Sequence, residues 1–334
     1  MYNARVIITE AEQHVQWLIT GATGFVGTHL IKYLETLDTT IDIVGTTLHP
    51  EPDRGRVRFV VCDLLRQENV INLVQDVHPT HVVHLAGQAN VQEAYRSPWP
   101  TFETNMRPLI YLLEACRRLS HMPRLLVVTS AEIYGRVSPD EMPITEQTPL
   151  QPANPYSVSK AAQDLLAQQY WWTYRLPIIR ARPFNHIGPG QSESFVAPAF
   201  AMQIARIEAG TQPPQIHVGN LHAMRDFTDV RDIVRAYYLL LLHGTAGEAY
   251  NIASGKSISI QSILTMLLEM SKASVEIIVD TDRLRPLDVS VLSASCDKLR
   301  AATHWQPQYS LKVTLRDVLD DCRQRVQLQK AEKP

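Results

Sequence analysis

The sequence predicts an α/β protein built on a doubly wound parallel sheet, and three observations support this fold class. Short apolar runs, typical of buried strands, alternate with helical patterns through the first half of the chain. A turn with three glycines separates the first predicted strand from the first predicted helix. Polar residues follow several strand ends, where open α/β sheets bind their ligands. We therefore expect the binding site at the carboxyl edge of the sheet.

The first predicted strand, residues 15–20, leads into a helix through the turn Gly21-Ala22-Thr23-Gly24-Phe25-Val26-Gly27. Glycines let backbone N–H groups approach a pyrophosphate, and the amino end of a helix adds positive potential. The order of strand, glycine turn and helix is what makes such a motif informative. This segment therefore predicts dinucleotide binding.

The second predicted strand begins at residue 41 and leads to Thr47. An NAD-binding fold usually carries an acidic residue here, because a carboxylate accepts hydrogen bonds from the ribose 2′-OH. Thr47 has no charge that would repel a 2′-phosphate, whereas the nearest arginines, Arg54 and Arg56, lie further along a loop. We expect NADP (NADPH) as the cofactor, with NAD as the alternative.

Residues 154–160 predict the start of a helix that carries two reactive side chains. Asn154 is a good N-cap, and Pro155 suits the first helical position. Tyr156 and Lys160 then lie four residues apart on one face. The ammonium and the helix dipole are both expected to lower the pKa of the Tyr156 phenol, which suits proton transfer at a hydroxyl carbon. On spacing alone a chance pair of surface residues is the alternative, and the upstream motifs favour the reactive pair.

Composition limits the possible function classes. The chain has 334 residues, which favours two domains, and its formal net charge of −2 gives no field for nucleic acid or an anionic membrane. No apolar run is long enough to span a bilayer, and no signal peptide is evident. The four cysteines lack C-x-x-C spacing, which is typical of reduced thiols. We expect a soluble cytoplasmic protein whose residues 1–14 form an N-terminal extension.

Three histidines, His78, His81 and His84, lie close together in the sequence. Their spacing matches no common metal site, and no acidic partner follows them. Packing beside a strand is therefore the preferred interpretation, and no metal is predicted.

Several motifs occur together and in one order: the glycine turn, Asp63-Leu64, Leu85-Ala86-Gly87, Asn105, Ser130 and Tyr156-x-x-x-Lys160. From about residue 15 to 325, the chain resembles the extended short-chain dehydrogenase/reductase family. The resemblance implies a Rossmann-type NAD(P)-binding domain at residues 15–183 plus 225–255. It also implies a smaller α/β substrate-binding domain at residues 184–224 plus 256–330.

In that family a serine hydroxyl and a tyrosine phenol hold the reacting C–O group. A lysine lowers the tyrosine pKa and binds the nicotinamide ribose. The resemblance thus implies catalytic roles for Ser130, Tyr156 and Lys160, with Glu132 as a further candidate. The residues implied to bind the cofactor are Gly21, Thr23, Gly24, Phe25, Val26, Gly27, Thr47, Asp63, Leu64, Leu85, Ala86, Gly87, Asn105, Tyr156, Lys160 and Pro183.

Three strings in the second half resemble the branch of the family that acts on GDP-sugars. They are N-H-I-G-P-G-Q from Asn185, G-N-L-x-x-x-R-D-F-T-D-V-R-D from residue 219, and R-P-x-D from Arg285. Two guanidinium groups, Arg225 and Arg285, are suited to clamp a diphosphate through bidentate hydrogen bonds. The substrate site implied by the resemblance comprises Gln88, Asn185, Val196, Asn220, Arg225, Arg285 and Asp288.

The implied reaction is NAD(P)H-dependent reduction of the C4 ketone of GDP-4-keto-6-deoxy-D-mannose, with Tyr156 as proton donor. A GDP-mannose 4,6-dehydratase, with Glu132 as base, is the alternative. Ala131 stands where dehydratases carry Ser or Asp, which favours the reductase. A non-catalytic NADP-sensing protein is a third hypothesis, although such proteins typically lose the Tyr or Lys that this chain keeps. The resemblance also implies a homodimer or homotetramer, paired through helices near residues 102–119 and 161–174.

Overall fold

The computed structural model describes residues 15–37, 41–283 and 291–331. The described strands are β1 (Val15–Thr20), β2 (Ile41–Thr47), β3 (Val57–Val61), β4 (His81–His84), β5 (Arg124–Val128), β6 (Ile178–Pro183), β7 (Asn185–Ile187), β8 (Gln215–Val218), β9 (Met224–Asp229), β10 (Ala249–Ile252), β11 (Ser257–Ser259) and β12 (Glu276–Val279). The described α-helices are α1 (Phe25–Thr36), α2 (Gln67–Val77), α3 (Val91–Arg96), α4 (Pro98–Cys116), α5 (Pro155–Tyr174), α6 (Val196–Glu208), α7 (Val230–His243), α8 (Ile260–Glu269), α9 (Asp297–Thr303) and α10 (Leu311–Ala331).

Seven strands form one sheet in the order β10-β6-β5-β4-β1-β2-β3, and every neighbouring pair is parallel. The chain starts near the middle, builds outward to β3, and then returns to β4 to build outward on the other side. This is a doubly wound parallel sheet, so the predicted fold class is confirmed. The strand order reverses between β1 and β4, and a crevice for ligands opens at the carboxyl ends of such strands.

β1 lies inside this sheet and is buried on both faces. Trp17 and Ile19 belong to the core shared with α1 and α7, whereas Leu18 belongs to the core shared with α2 and α4. This division follows from the period of two along a strand. Burial on both faces also explains why the sequence of β1 is nearly continuously apolar.

A further core lies beyond β6 and is formed mainly by α6, α8 and α10, where Phe200, Leu264 and Leu319 are buried. β8 pairs with β12, and β7, β9 and β11 form a three-stranded sheet. One segment differs from the sequence prediction, which places residues 256–330 with the smaller domain. Leu299 in α9 and the following Trp305 instead pack into the core that contains α7.

α5 begins as predicted. The Asn154 side chain accepts a hydrogen bond from the Ser157 N–H at 2.8 Å, and Ser157 Oγ accepts one from the Asn154 N–H at 3.0 Å. Pro155 occupies the first turn, where its missing N–H costs nothing. The sequence predicts the preceding helix at about residues 101–119, whereas α4 begins three residues earlier, at Pro98, because proline is also tolerated in a first helical turn.

Across the described helices, none is long and apolar enough to cross a lipid bilayer.

Candidate active site

The glycine turn after β1 leaves no room for side chains. Gly21 has a φ of +71°, and a Cβ there would lie 2.9 Å from the backbone nitrogen of Ala86. A Cβ on Gly27 would lie only 2.3 Å from the carbonyl oxygen of Gly21. The backbone of the turn therefore packs directly on α1 and on the end of β4, which is how dinucleotide-binding turns are built.

The amino end of α1 is open toward this turn. Gly24 is the N-cap and supplies no side-chain hydrogen bond. The first N–H groups of a helix lack partners within it and carry positive partial charge. These features fit a pyrophosphate, so the chain fits the predicted dinucleotide. Thr23 is exposed beside them, while Phe25 and Val26 are half-buried.

The ends of β2 and β3 provide the adjoining surface. Thr47 is buried, and its hydroxyl donates a hydrogen bond to the main-chain oxygen of His49. Asp63 accepts a hydrogen bond from the Leu65 N–H at 3.0 Å, and Leu64 is buried beside it. β2 ends in uncharged Thr46 and Thr47, so this strand itself places no carboxylate where a 2′-phosphate would bind.

A buried hydrogen-bond network joins the turn after β4 to α4 and α5. Asn105, fully buried, accepts a hydrogen bond from the backbone N–H of Gln88 and donates one to Ser159 Oγ, both at 2.8 Å. A Cβ on Gly87 would lie 2.7 Å from Asn105 Oδ1. The network thus fixes the turn at residues 85–87 against the helix that carries Tyr156.

Tyr156 lies in the first turn of α5 and is buried, with 7% of its surface exposed. Its ring packs on Val91 and Ala94 of α3, and Ser130, at the end of β5, lies close enough to act on the pKa of the phenol. Burial raises the pKa of the phenol to about 12, and the nearby Glu132 carboxylate acts in the same direction. The predicted lowering of this pKa is therefore wrong for the polypeptide by itself.

Lys160 is not among the groups that act on the pKa of Tyr156. Its Nζ donates hydrogen bonds to the main-chain oxygen of Val128 at 3.1 Å and to Gln163 Oε1 at 2.8 Å. Burial lowers the pKa of the ammonium to about 8. Desolvation of Tyr156, which spacing along a helix does not report, outweighs the expected help from the lysine.

Glu132 and Ala131 lie in the short 3-10 helix Ala131–Tyr134 that follows Ser130. Ser130 Oγ accepts a hydrogen bond from the Glu132 N–H at 3.2 Å, and Glu132 Oε2 accepts one from Asn154 Nδ2 at 3.2 Å. Ala131 is buried among apolar side chains that include Ile133. Its methyl group offers no proton donor.

A cavity of about 530 Å³ opens beside α3, β7 and α6. Val91, which packs on Tyr156, lines it, so the cavity begins next to the candidate catalytic residues. Four of the residues predicted to bind substrate line the cavity: Asn185, Val196, Asn220 and Arg225. Pro183 is buried one residue after Arg182 at the end of β6 and leads to this wall.

Gln88 does not line the cavity among the described residues. Its side-chain nitrogen donates hydrogen bonds to the Asn90 main-chain oxygen at 2.9 Å and to Thr101 Oγ1 at 3.1 Å. It therefore shapes the loop that leads to Ala89 and Asn90, which do line the cavity. Arg285 and Asp288 lie outside the described residues.

Three arginines from separate elements line the cavity: Arg96, Arg225 and Arg283. Arg225 is buried and donates a hydrogen bond to the Met224 main-chain oxygen, whereas Arg283 pairs with Asp280 at 3.1 Å. The sequence predicted only Arg225 among them. Arg283 could have been found from the sequence, because it stands two residues before the predicted Arg285. For Arg96, nothing in the surrounding sequence distinguishes it from an ordinary surface arginine.

The described residues contain no cluster of histidine, cysteine or acidic side chains that could hold a metal ion. His84 shares a hydrogen bond of 2.9 Å with Thr20 Oγ1, and the His81 ring stacks on Trp17. Both histidines thus have partners in the packing around β4.

Residues 18–318 match the family model described as GDP-mannose 4,6 dehydratase. The chain belongs to this family. It is 37% identical to the GDP-6-deoxy-D-mannose reductase of Pseudomonas aeruginosa, over 92% of this chain and 97% of that protein. It is 30% identical to a dTDP-glucose 4,6-dehydratase of Haemophilus influenzae, over 90% of this chain and 96% of that protein.

A solved structure described as RMD from Pseudomonas aeruginosa complexed with NADPH matches with a TM-score of 0.83 and 36% identity. The match covers 93% of this chain and 99% of that one. These comparisons confirm the resemblance to Rossmann-type dehydrogenases and to enzymes of nucleotide sugars that the motifs predicted.

Proposed function

We propose that this protein reduces the C4 ketone of GDP-4-keto-6-deoxy-D-mannose to a GDP-6-deoxyhexose of the D-rhamnose type, with NADPH as the preferred cofactor. The observation that carries this proposal is the state of Tyr156, a buried phenol near Ser130 with a pKa raised to about 12. Such a phenol keeps its proton at neutral pH. Ketone reduction consumes one proton at the oxygen, so a protonated tyrosine is the state that the reaction needs.

In the proposed reaction, NADPH, when bound, supplies a hydride to C4. Ser130 and Tyr156 hold the carbonyl oxygen by hydrogen bonds, which strengthen as negative charge develops there; one such donor is worth about 2.7–4 kcal/mol in comparable sites. Tyr156 gives its proton to that oxygen, because an alkoxide is a stronger base than a phenolate. Lys160, one helical turn away, stabilises the phenolate that remains.

The substrate class is supported by the arginines of the cavity, which outnumber the two carboxylates that also line it, Glu193 and Asp280. Arg96, Arg225 and Arg283 line it from three elements, and guanidinium groups bind diphosphates through paired hydrogen bonds. The name of the Pseudomonas aeruginosa relative supports a GDP-sugar, and the NADPH in the solved relative agrees with Thr47 at the end of β2.

A GDP-mannose 4,6-dehydratase is the second candidate, and the position of Glu132 favours it. Its carboxylate is hydrogen-bonded to Asn154 and lies close enough to Tyr156 to raise the pKa of that phenol. A dehydratase begins by oxidising its substrate, which requires a phenolate rather than a phenol. It also expels a hydroxyl, and buried Ala131 supplies no proton for that step.

The test gives the purified protein GDP-mannose alone and then the keto-sugar with NADPH or NADH. We expect no conversion of GDP-mannose, and stoichiometric loss of the reduced nicotinamide absorbance once the keto-sugar is added. Rapid formation of the keto-sugar from GDP-mannose, without consumption of NADPH in the second assay, would show that the dehydratase is the correct activity. The faster of the two coenzymes identifies the cofactor preference.

We also propose a homodimer paired through α4 and α5. Leu165 and Trp172 are 56% and 63% exposed, and their spacing of seven residues places both on one face of α5. Sedimentation of Leu165→Asp should then give a lower mass than the unmodified chain. An unchanged mass would place the interface elsewhere.

A further inference from the structure

Gln163 has no role in the site as described so far. It lies in α5, three residues after Lys160, and is fully buried. Its Oε1 accepts a hydrogen bond from Lys160 Nζ at 2.8 Å, and its Nε2 donates one to the main-chain oxygen of Asn105 at 2.6 Å. The glutamine therefore connects the candidate catalytic lysine to α4.

The orientation of this amide follows from its two partners. The Asn105 carbonyl can only accept a hydrogen bond, so the amide nitrogen must face it. The lysine ammonium can only donate, so Oε1 must face Lys160. Reversing the amide would leave both contacts repulsive.

Lys160 Nζ is thus held between two oxygen acceptors, Gln163 Oε1 and the Val128 main-chain oxygen, two residues before Ser130. Acceptors stabilise the charged form of a lysine, whereas burial favours the neutral amine. Burial is the larger influence here, since it lowers the pKa of Lys160 to about 8. Near neutral pH the charged form of Lys160 is therefore only slightly favoured over the neutral amine, so the loss of either acceptor should change how much of it is charged.

We propose that Gln163 is a positioning residue: it fixes the Lys160 ammonium beside the end of β5 and keeps it protonated in a buried site. The placement and the charge of Lys160 are independent of the substrate. Only the consequence for turnover rests on the proposed function.

Three titratable groups near Tyr156 and Lys160 have pKa values far from that of Lys160, so their transitions cannot be mistaken for its own. His84 on β4 has its pKa lowered to about 3 by burial and by the Lys160 charge. Tyr156 on α5 has a pKa raised to about 12, and burial also raises the pKa of Tyr237 on α7. All three are uncharged at neutral pH, so a transition near pH 8 at this position belongs to Lys160.

The test measures the pKa of Lys160 in the full, ligand-free chain by NMR of lysine labelled at the ε carbon, with Lys160→Met to assign the signal. Gln163→Met keeps the side-chain length but removes the acceptor, so we expect the pKa of Lys160 to fall by about one unit. Gln163→Glu places a carboxylate beside the ammonium, so we expect the pKa to rise.

Gln203→Met is the matched control. Gln203 is also buried, donates to the main-chain oxygens of Ala199 and His217, and accepts from the His217 N–H. The Gln203→Met variant removes these three hydrogen bonds, one more than Gln163→Met removes, but does not touch Lys160. In the Gln203→Met variant, the pKa of Lys160 should equal that in the unmodified chain.

An unchanged Lys160 pKa in both Gln163 variants would overturn the proposal, and if Gln163→Met does not fold, an unchanged value in Gln163→Glu alone does so. In turnover, the alkaline limb of the kcat profile should move to lower pH in Gln163→Met and to higher pH in Gln163→Glu. Simple structural damage would lower kcat at every pH without moving the limb. An unmodified chain that fails to reduce the keto-sugar would refute the proposed function only, because the NMR titration needs no substrate.

Discussion

The two halves of the candidate site are built from different parts of the chain. The half proposed to bind the dinucleotide is made of backbone: added Cβ atoms on Gly21 and Gly27 would meet backbone atoms at 2.9 and 2.3 Å. The sugar half is a cavity of about 530 Å³, lined by side chains that include Arg225 and Arg283.

This difference affects how each half responds to substitution. A surface made of closely packed backbone tolerates no added atom, because the clash can be relieved only by moving the turn. On a surface made of long side chains, binding should instead weaken gradually, because each guanidinium group can be removed without moving the backbone. Tyr156 lies where the halves meet, since its ring packs on Val91 of the cavity wall.

The largest effect is expected at that junction. Tyr156→Phe removes the proposed proton donor, and we expect kcat to fall by about 10²–10⁴-fold while the Kd for NADPH stays nearly constant. Steady-state kinetics and nicotinamide fluorescence measure the two quantities. Tyr170→Phe is the control, because Tyr170 lies on the same helix but bonds to Glu114 away from the site. A kcat close to that of the unmodified chain would remove Tyr156 from the mechanism.

Arg225→Ala tests the sugar half. Loss of a charge-assisted contact to the diphosphate should weaken binding of the GDP-sugar by about 1.5–3 kcal/mol and raise its KM accordingly. The Kd for NADPH should not change. Because Arg225 is buried, a thermal melt must establish that the variant is folded. Arg300→Ala, at a half-buried arginine of α9 that pairs with Asp297 and does not line the cavity, should leave KM unchanged. If Arg225→Ala and Arg300→Ala had the same KM, the diphosphate would not bind at Arg225.

Gly27→Ala tests the dinucleotide half. The new Cβ would lie 2.3 Å from the Gly21 carbonyl oxygen, so the turn must shift. Overpacking of this kind costs about 1–3 kcal/mol, and we expect it to appear as a raised Kd for NADPH. KM for the GDP-sugar, measured at saturating NADPH, should stay the same. Unaltered NADPH binding would contradict a turn built by close backbone approach.

The smallest effect is expected for Glu132→Gln. In a reductase this carboxylate acts on Tyr156 only through its charge, so kcat should change by no more than about threefold. The pKa of Tyr156 should fall slightly, because the carboxylate helps to raise it. A loss of kcat by two orders of magnitude would instead make Glu132 a catalytic base.

Much of this arrangement was predictable because its causes are local. The apolar run of β1, the glycines after it and the cap formed by Asn154 and Ser157 act within a few residues of the chain. Such short-range patterns specify a strand, a turn and a helix start, and their order specifies a doubly wound sheet.

The sequence by itself thus determined the fold class, the glycine turn and the residue types at the candidate site. Only the tertiary structure decided their electrostatics. Tyr156 is desolvated by α3, and Lys160 is held by the Val128 oxygen and by Gln163, which in turn depends on Asn105 of α4. Burial and hydrogen bonding set a pKa, and both depend on groups that are distant in sequence and meet only when the chain folds.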